Sequence, residues 1–303
     1  MGPPLPSVEG VEHRDVSVRG LRLHVALAGP SDGAPVVLQH GWPQHWYAWR
    51  RLMGPLAAAG HRVIAPDFRG FGWSEYPADD DFRKETLAED LVALCTELGH
   101  DQIAFVGHDW GCWVGWLLCL GHPELVERAV LLSVRSPLPA ERIGAGDVAG
   151  LARLWYQLVI ASPGPRAGKL AFFGRVLEAI GSDSWEPADR AAYLEPLAQP
   201  AQVRASTLLY RQFVTRELPG VVGGRYAGGR LTMPIRFLVG RDDPLYGEGM
   251  EDEPSAHADD YAGEALAGVG HCLPEDAPEL LRSRVLEFLG TKRACATATP
   301  SRN

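Results

Sequence analysis

The stretch that decides the fold is Val106-Gly107-His108-Asp109-Trp110-Gly111. It lies between a β-rich apolar run at residues 103–106 and an apolar segment with helical spacing at residues 112–120. Two glycines four positions apart permit a sharp strand-to-helix turn, the nucleophile elbow, which lifts its central side chain over the edge of a sheet. That side chain is Asp109, at the positive end of the following helix. The alternative interpretation is an ordinary loop in which Asp109 only caps the helix.

Strands and helices alternate around this turn. The pattern predicts strands at residues 36–40, 62–65, 103–106 and 129–133, with helices at 46–59, 85–98 and 112–120 between them. Such alternation is typical of a mostly parallel sheet with helices on both faces. From about residue 136 to 230 only helical segments follow, at 150–160, 167–180, 187–197 and 202–217. Strands return at 234–239 and 260–267, before a terminal helix at 277–289.

We therefore expect a mostly parallel α/β core, interrupted by an all-helical insertion. The core comprises residues 1–135 and 231–292, the insertion residues 136–230, and the tail at 293–303 is expected to be disordered.

Composition excludes several classes of protein. The 303 residues are 46% apolar and 22% charged, which is typical of a globular chain. The net charge of −9 and the lack of Lys/Arg runs argue against a nucleic-acid binder. The longest apolar stretch, residues 113–121, is too short to cross a membrane.

The N-terminus lacks the features of a signal peptide, and the five cysteines show no CxxC spacing, so we expect free thiols and a cytoplasmic protein. Three lysines beside abundant Ala, Gly and Arg favour a bacterial source, and with it a substrate from secondary metabolism. Metal-ligand clusters and a dinucleotide glycine motif are both missing, so no metal and no cofactor are expected. A homodimer is compatible with the sequence.

Three further segments make chemistry at the elbow the better interpretation. His40-Gly41-Trp42-Pro43 follows a strand, and the N–H groups of Trp42 and Trp110 could form an oxyanion hole. An acidic pair, Asp242-Asp243, follows the strand at 234–239, and His271 lies in a loop before the last helix. The order nucleophile, acid, histidine is the order that this elbow requires. We assign Asp243 as the acid, although Asp242 remains an alternative.

A carboxylate nucleophile suits epoxides and alkyl halides, because it forms an alkyl ester with carbon. The chain resembles the epoxide hydrolase branch of the α/β-hydrolase fold over residues 10–290, with the turn at residues 67–74 also matching. The resemblance implies a core sheet of eight strands, with the helical insertion as a cap over the active site. It also implies two cap tyrosines that protonate the epoxide oxygen, for which Tyr156 and Tyr210 are at the matching positions.

The expected mechanism has two steps. Asp109 attacks the oxirane carbon, and His271, oriented by Asp243, then activates the water that hydrolyses the ester to a vicinal diol. The partners are thus a small apolar epoxide and water. The side chains expected to contact this substrate are His40, Trp42, Trp110, Trp155, Gln157 and Trp185.

The competing functions are a haloalkane or haloacetate dehalogenase, an ester or lactone hydrolase, and a non-catalytic ligand receptor. A halide leaves as a stable anion and requires only N–H donors, so Trp110 suits either reaction. However, the His-Gly-Asn-Pro of haloalkane dehalogenases is replaced by a segment with Trp42, and Leu154 precedes Trp155 where fluoroacetate dehalogenases have a His-Trp pair. A receptor would not require Asp109, Asp243 and His271 together.

Overall fold

The computed structural model describes residues 3–138, 155–181 and 185–290. Within them one eight-stranded sheet has the order β1-β2-β4-β3-β5-β6-β7-β8. The first two strands pair antiparallel, β2 pairs antiparallel with β4, and every other neighbour is parallel. The predicted eight-stranded, mostly parallel sheet is confirmed. The strands are β1 (Val11–Val18), β2 (Leu21–Ala28), β3 (Ala34–Gln39), β4 (His61–Pro66), β5 (Ile103–His108), β6 (Val126–Leu132), β7 (Ile235–Gly240) and β8 (Tyr261–Leu266).

The helices of the described residues fall into two sets. The core set is α1 (Arg50–Ala58), α2 (Lys84–Glu97), α3 (Trp110–Gly121), α9 (Leu273–Asp276) and α10 (Pro278–Gly290). The set between β6 and β7 is α4 (Trp155–Ala161), α5 (Arg166–Ile180), α6 (Pro187–Leu197), α7 (Pro200–Gln212) and α8 (Leu218–Val222). A π-helical turn, Phe213–Glu217, joins α7 to α8.

Side-chain alternation along the strands divides the core in two. In β3, Val36 and Leu38 pack in the same cluster as α1 and α10, whereas Val37 packs in the cluster of α2 and α3. Successive side chains of a strand point to opposite faces, so a strand buried on both faces reads as a continuous apolar run. This is why the short apolar runs of the sequence identified the parallel strands.

The described part of the cap contains helices joined by turns and coil, and no strand. The segment predicted as a helix at 202–217 is α7 plus the π-helical turn, so its last turn differs from the expectation. The helix predicted at 150–160 is described only from Trp155 onwards, and the tail at 293–303 lies outside the described residues. The domain boundaries at 136 and 230 stay predictions. None of the helices within the described ranges is long and apolar enough to span a membrane.

Close backbone approach forms the elbow between β5 and α3. A Cβ on Gly111 would lie 2.1 Å from the carbonyl oxygen of Gln39, and one on Gly107 would lie 2.4 Å from the carbonyl oxygen of Gly111. Asp109 has φ 52°, in the left-handed region that non-glycine residues rarely adopt. The two flanking glycines therefore let α3 start directly against β3, with Asp109 at the apex.

We predict that Gly111→Ala lowers the free energy of unfolding by about 1–3 kcal/mol or more, because the added methyl group overlaps the backbone of β3. The measurement is urea unfolding followed by circular dichroism. Gly121→Ala in the same helix is the matched control, since nothing lies within 4 Å of its added Cβ. Equal stability of the two variants would contradict this account of the elbow.

Candidate active site

Asp109 is held by backbone N–H groups from two sides. The N–H of Trp42 donates to Asp109 Oδ1 at 2.7 Å, and the N–H of Trp110 also hydrogen-bonds this carboxylate. Gly41 makes the first contact possible, because a Cβ there would lie 2.3 Å from the Cβ of Asp109. The two N–H groups predicted to form an oxyanion hole thus both bind the Asp109 carboxylate, and Oδ2 is the oxygen that lies near His271.

His271 lies between two carboxylates. Its Nδ1–H donates to Asp243 Oδ2 at 2.8 Å, and its Nε2 is 3.5 Å from Asp109 Oδ2. Asp243 is buried, whereas Asp242 is exposed. Of the two acids that the sequence left open, the structure places Asp243 against the histidine. Nucleophile, histidine and acid therefore form one continuous line of contacts at the carboxyl edge of the sheet.

The two carboxylates control the charge of His271. Burial acts to lower its pKa, but Asp243 and Asp109 outweigh burial and raise the pKa to about 10. Burial likewise acts to raise the pKa of Asp109, and the hydrogen bond and charge of His271 lower it below its usual value. Near neutral pH the site thus holds an imidazolium between two carboxylates, and Asp109 is ionised as a nucleophile must be.

The two cap tyrosines lie above the nucleophile. Tyr156 on α4 and Tyr210 on α7 have ring centroids 6.1 Å apart, and both line the same cavity as Asp109. Burial raises the pKa of both phenols, and the charge of Asp109 adds to the effect. Both hydroxyls therefore keep their protons at neutral pH and are available as donors.

A cavity of about 380 Å³ separates the cap from the sheet edge. Its walls are mainly apolar, and the titratable groups among them are Asp109, His271, Arg175 and the two phenols. Its lining residues are Trp42, Asp109, Trp155, Tyr156, Phe172, Arg175, Val176, Ala179, Ile180, Tyr210, Pro244, Leu245 and His271. Another cavity, about 480 Å³, lies along β7, β8 and α10, where Arg284 and Glu264 pair with each other. It contains none of the candidate catalytic residues.

Of the side chains expected to contact substrate, Trp42 and Trp155 line the cavity, and Trp155 is 59% exposed. His40 instead lies beneath the oxyanion turn. Its Nδ1–H donates to the carbonyl of Gly41, its Nε2 accepts the N–H of Phe68 at 3.0 Å, and burial lowers its pKa. His40 thus acts as a neutral support of the turn.

The other three expected contacts are also absent from the cavity wall. Gln157 is buried, with its amide 3.5 Å from the hydroxyl of Tyr156. Trp185 packs on Tyr193 and donates to Asp276. The ring of Trp110 packs edge-on against Tyr210. Apolar and aromatic composition did not reveal which face of a cap or core segment meets the substrate.

Sequence reasoning missed two residues that fix the backbone of the histidine loop. The carbonyl of His271 accepts hydrogen bonds from His108 Nε2–H and from Ser133 Oγ–H, both at 2.8 Å. His108 directly precedes the nucleophile, and Ser133 follows β6. Their positions at the carboxyl ends of adjacent parallel strands were the signal available in the sequence.

Asp67 supports the oxyanion loop and was recognised only as part of a matching turn. Its buried carboxylate accepts the N–H of Trp46 at 2.8 Å and the N–H of Trp73 at 3.0 Å. His24 also contacts it at 2.8 Å. Burial opposes ionisation of Asp67, but the hydrogen bond to His24 dominates and lowers its pKa. One charged carboxylate thus joins the loops after β3 and β4.

The loop that carries His271 is also tied to the cap. Glu275, four residues further on, is buried and accepts from Arg50 on α1 at 2.9 Å and from the hydroxyl of Tyr193 on α6. Arg50 in turn pairs with Asp189 on α6 at 2.8 Å. This network links the loop that carries His271, the core helix α1 and the cap helix α6.

Within residues 3–138, 155–181 and 185–290, no group of three His, Cys, Asp or Glu side chains is arranged to hold a metal ion. The cysteines of these ranges are buried and form no disulfide; they are Cys95, Cys112, Cys119 and Cys272. Cys295 lies outside them.

Comparison with known proteins agrees with this geometry. A family model described as the alpha/beta hydrolase fold matches residues 34–278. Epoxide hydrolase 3 of Siraitia grosvenorii is 37% identical over 268 residues, which cover 79% of this chain and 83% of the relative. The chain belongs to the alpha/beta hydrolase fold family, in its epoxide hydrolase branch. The soluble epoxide hydrolase of a Corynebacterium strain is 29% identical over 93% of this chain and 99% of the relative.

A crystal structure of an epoxide hydrolase from Vigna radiata superposes with a TM-score of 0.78 at 27% identity. The superposition covers 93% of this chain and 99% of that one. Membership in this family confirms the resemblance seen in the sequence. The roles of individual residues rest on the geometry described above.

The pKa of His271 predicts a pH dependence of stability. A pKa raised from about 6.5 in the unfolded chain to about 10 in the folded one stabilises the fold fully below pH 6.5. That contribution, on the order of several kcal/mol, is lost as the pH rises towards 10. We therefore expect the wild type to lose stability more steeply than His271→Gln between pH 7 and 10 in urea unfolding. Parallel pH profiles would show that the histidine is neutral in the folded enzyme.

Proposed function

We propose that this protein hydrolyses a small apolar epoxide to a vicinal diol through an ester on Asp109. The observation that carries the proposal is the convergence of two protonated phenols and one ionised carboxylate on the same apolar cavity. An oxirane needs both partners at once: a nucleophile for the carbon, and an acid for the oxygen.

The first step opens the ring. Asp109 Oδ2 attacks an oxirane carbon while the N–H groups of Trp42 and Trp110 hydrogen-bond the carboxylate. The carbon–oxygen bond breaks, and its electron pair takes a proton from Tyr156 or Tyr210. The alkoxide is far more basic than a phenolate, so proton transfer from a phenol is favourable as charge develops on oxygen.

The second step uses His271 as a base that forms only after alkylation. Once Asp109 is an ester its charge disappears, and one of the two carboxylates that raise the pKa of His271 is lost. The imidazolium then gives its proton, through solvent in the cavity, to the tyrosinate. Neutral His271, oriented by Asp243, takes a proton from the water that attacks the ester carbonyl.

The proton balance closes over the cycle. The tetrahedral oxyanion is bound by the N–H groups of Trp42 and Trp110, and its collapse releases the diol oxygen, which takes the proton back from His271. Asp109 is left as a carboxylic acid and returns its proton to His271. The net reaction is one epoxide plus one water to one diol.

The phenols favour an epoxide over a halide substrate. A halide leaves as a stable anion and needs no proton, so a site built for halide would not require two buried hydroxyls beside the nucleophile. Burying a polar group without using it costs about 1–3 kcal/mol. Tyr156 and Tyr210 are therefore best explained as donors to an oxygen leaving group.

We predict that His271→Gln accumulates the ester, because Asp109 can still attack while no base activates water. Mixed with an aryl epoxide, the variant should gain one substrate mass, and peptide mapping should place it on residue 109. The double variant with Asp109→Asn is the control and should gain none. An adduct elsewhere, or steady diol formation by His271→Gln, would contradict the assigned nucleophile and base.

We predict that Tyr210→Phe slows alkylation by about 2–4 kcal/mol in activation free energy, judged from loss of a single oxyanion donor. Tyr156→Phe with Tyr210→Phe should abolish diol formation while unfolding remains close to the wild type, since both rings are kept. Diol release from a panel of alkyl and aryl epoxides is measured beside halide release from haloalkanes and haloacetates.

Two outcomes of this assay separate the possibilities. Halide release by the wild type without any diol would replace the proposed reaction by dehalogenation. Diol formation that survives the double Tyr→Phe change would leave the reaction in place and refute the two donors.

A further inference from the structure

A buried ion pair joins the core to the cap close to the active site. Lys84, the first residue of α2, has a fully buried side chain whose Nζ lies 2.9 Å from Glu217 Oε2. Glu217 ends the π-helical turn that follows α7. Its other oxygen accepts the backbone N–H of Lys84 at 2.7 Å, so a cap carboxylate also caps a core helix.

Lys84 contacts both halves of the catalytic machinery. Its Nζ donates to the carbonyl oxygen of Leu209 at 2.6 Å, one residue before Tyr210. The same Nζ lies 4.6 Å from the centroid of the Trp110 ring, whose backbone N–H binds the nucleophile. The Trp110 ring in turn packs edge-on against Tyr210, with centroids 5.3 Å apart. One ammonium group therefore contacts both the helix that carries Tyr210 and the ring of Trp110.

The helix geometry at this point is consistent with such a role. The regular α7 helix ends at Gln212, and the carbonyl of Leu209 accepts the N–H of Phe213 as well as Lys84. The π-helical turn then brings Glu217 back to Lys84. π-helical turns are rare and frequently occur at functional sites. Here the widened turn allows a core lysine to bond to the helix that carries Tyr210.

Fold stability alone does not explain this pair. Desolvation of a buried ion pair often offsets its attraction, so that well-packed apolar residues of similar size are equally stable. An exposed pair on the same helix, Arg204 with Asp80, already connects cap and core. What distinguishes Lys84 is its contact with Leu209 and Trp110 together.

We propose that Lys84 is a positioning residue for the ring-opening step, and that its pairing with Glu217 sets the place of the Tyr210 hydroxyl relative to Asp109. The inference rests on the proposed function, because it assigns Tyr210 a part in alkylation. It predicts that loss of Lys84 affects the first chemical step and spares the second, which depends on His271 and Asp243.

The test compares Lys84→Met with Lys84→Met/Glu217→Gln. The double variant removes both charges and keeps an amide oxygen for the backbone N–H at position 84, so it avoids an unpaired buried carboxylate. Rapid mixing with an aryl epoxide gives the alkylation rate from ester formation and the hydrolysis rate from ester decay. Arg204→Met is the matched control, since it breaks a cap–core ion pair at an exposed place on α7.

We expect alkylation by the double variant to slow about 10- to 100-fold, the size expected for a misplaced catalytic group. The rate of ester decay should stay near the wild type, and both alkylation and ester decay should stay near the wild type in Arg204→Met. Hydrogen exchange of the peptide at residues 205–217 should become faster in both Lys84 variants and stay unchanged in Arg204→Met. The exchange measurement needs no substrate.

The outcomes distinguish the two proposals. If Tyr210→Phe slows alkylation but the double variant does not, Lys84 has only a structural role and the inference is overturned. It is equally overturned if alkylation and ester decay fall in parallel, or if exchange at 205–217 is unchanged. If Tyr210→Phe itself leaves alkylation unchanged, the assignment of the donor fails, and that failure is seen in a protein with Lys84 intact.

Discussion

The backbone of Asp109 is confined to a left-handed conformation by the packing of α3 against β3. Gly111 and Gly41 leave no space for a side chain at these contacts, and that closeness brings the Trp42 N–H to 2.7 Å from the carboxylate. A left-handed non-glycine residue costs roughly 1–3 kcal/mol, which the surrounding fold must offset. The position of Asp109 and its hydrogen bond from the Trp42 N–H both follow from this close packing. The cap and the histidine loop are arranged around a carboxylate whose place is already fixed.

Much of this arrangement could be predicted because the relevant signals are local. The elbow and the strand that precedes it lie within ten residues, and the order of Asp109, Asp243 and His271 fits a single topology. The sheet followed from short apolar runs that alternate with helical spacing. Tyr156 and Tyr210 came from resemblance, since a tyrosine in a cap helix has no periodic signal of its own.

The rest depends on contacts between distant parts of the chain. Lys84 and Glu217 are 133 positions apart, and neither residue type suggests burial, because lysine and glutamate are usually exposed. Trp185 and His40 were expected to contact the substrate because of their chemistry. Both side chains are instead buried in the protein interior, and neither lines the cavity. Which face of a helix or loop meets a cavity is decided by the neighbouring elements, and these cannot be recognised from the segment itself.

The buried network around Glu275 has a consequence for how this enzyme could diverge. The network holds α6 and the loop that carries His271 together. Lys84 separately bonds to α7 near the C-terminal end of that helix. The cavity side of α5, with Phe172, Val176 and Ala179, takes no part in either network among the described residues. Substitutions there would reshape the cavity without displacing Asp109, His271 or the two tyrosines. Selection can therefore change which epoxide is accepted by altering one helix, while the reaction itself is inherited intact.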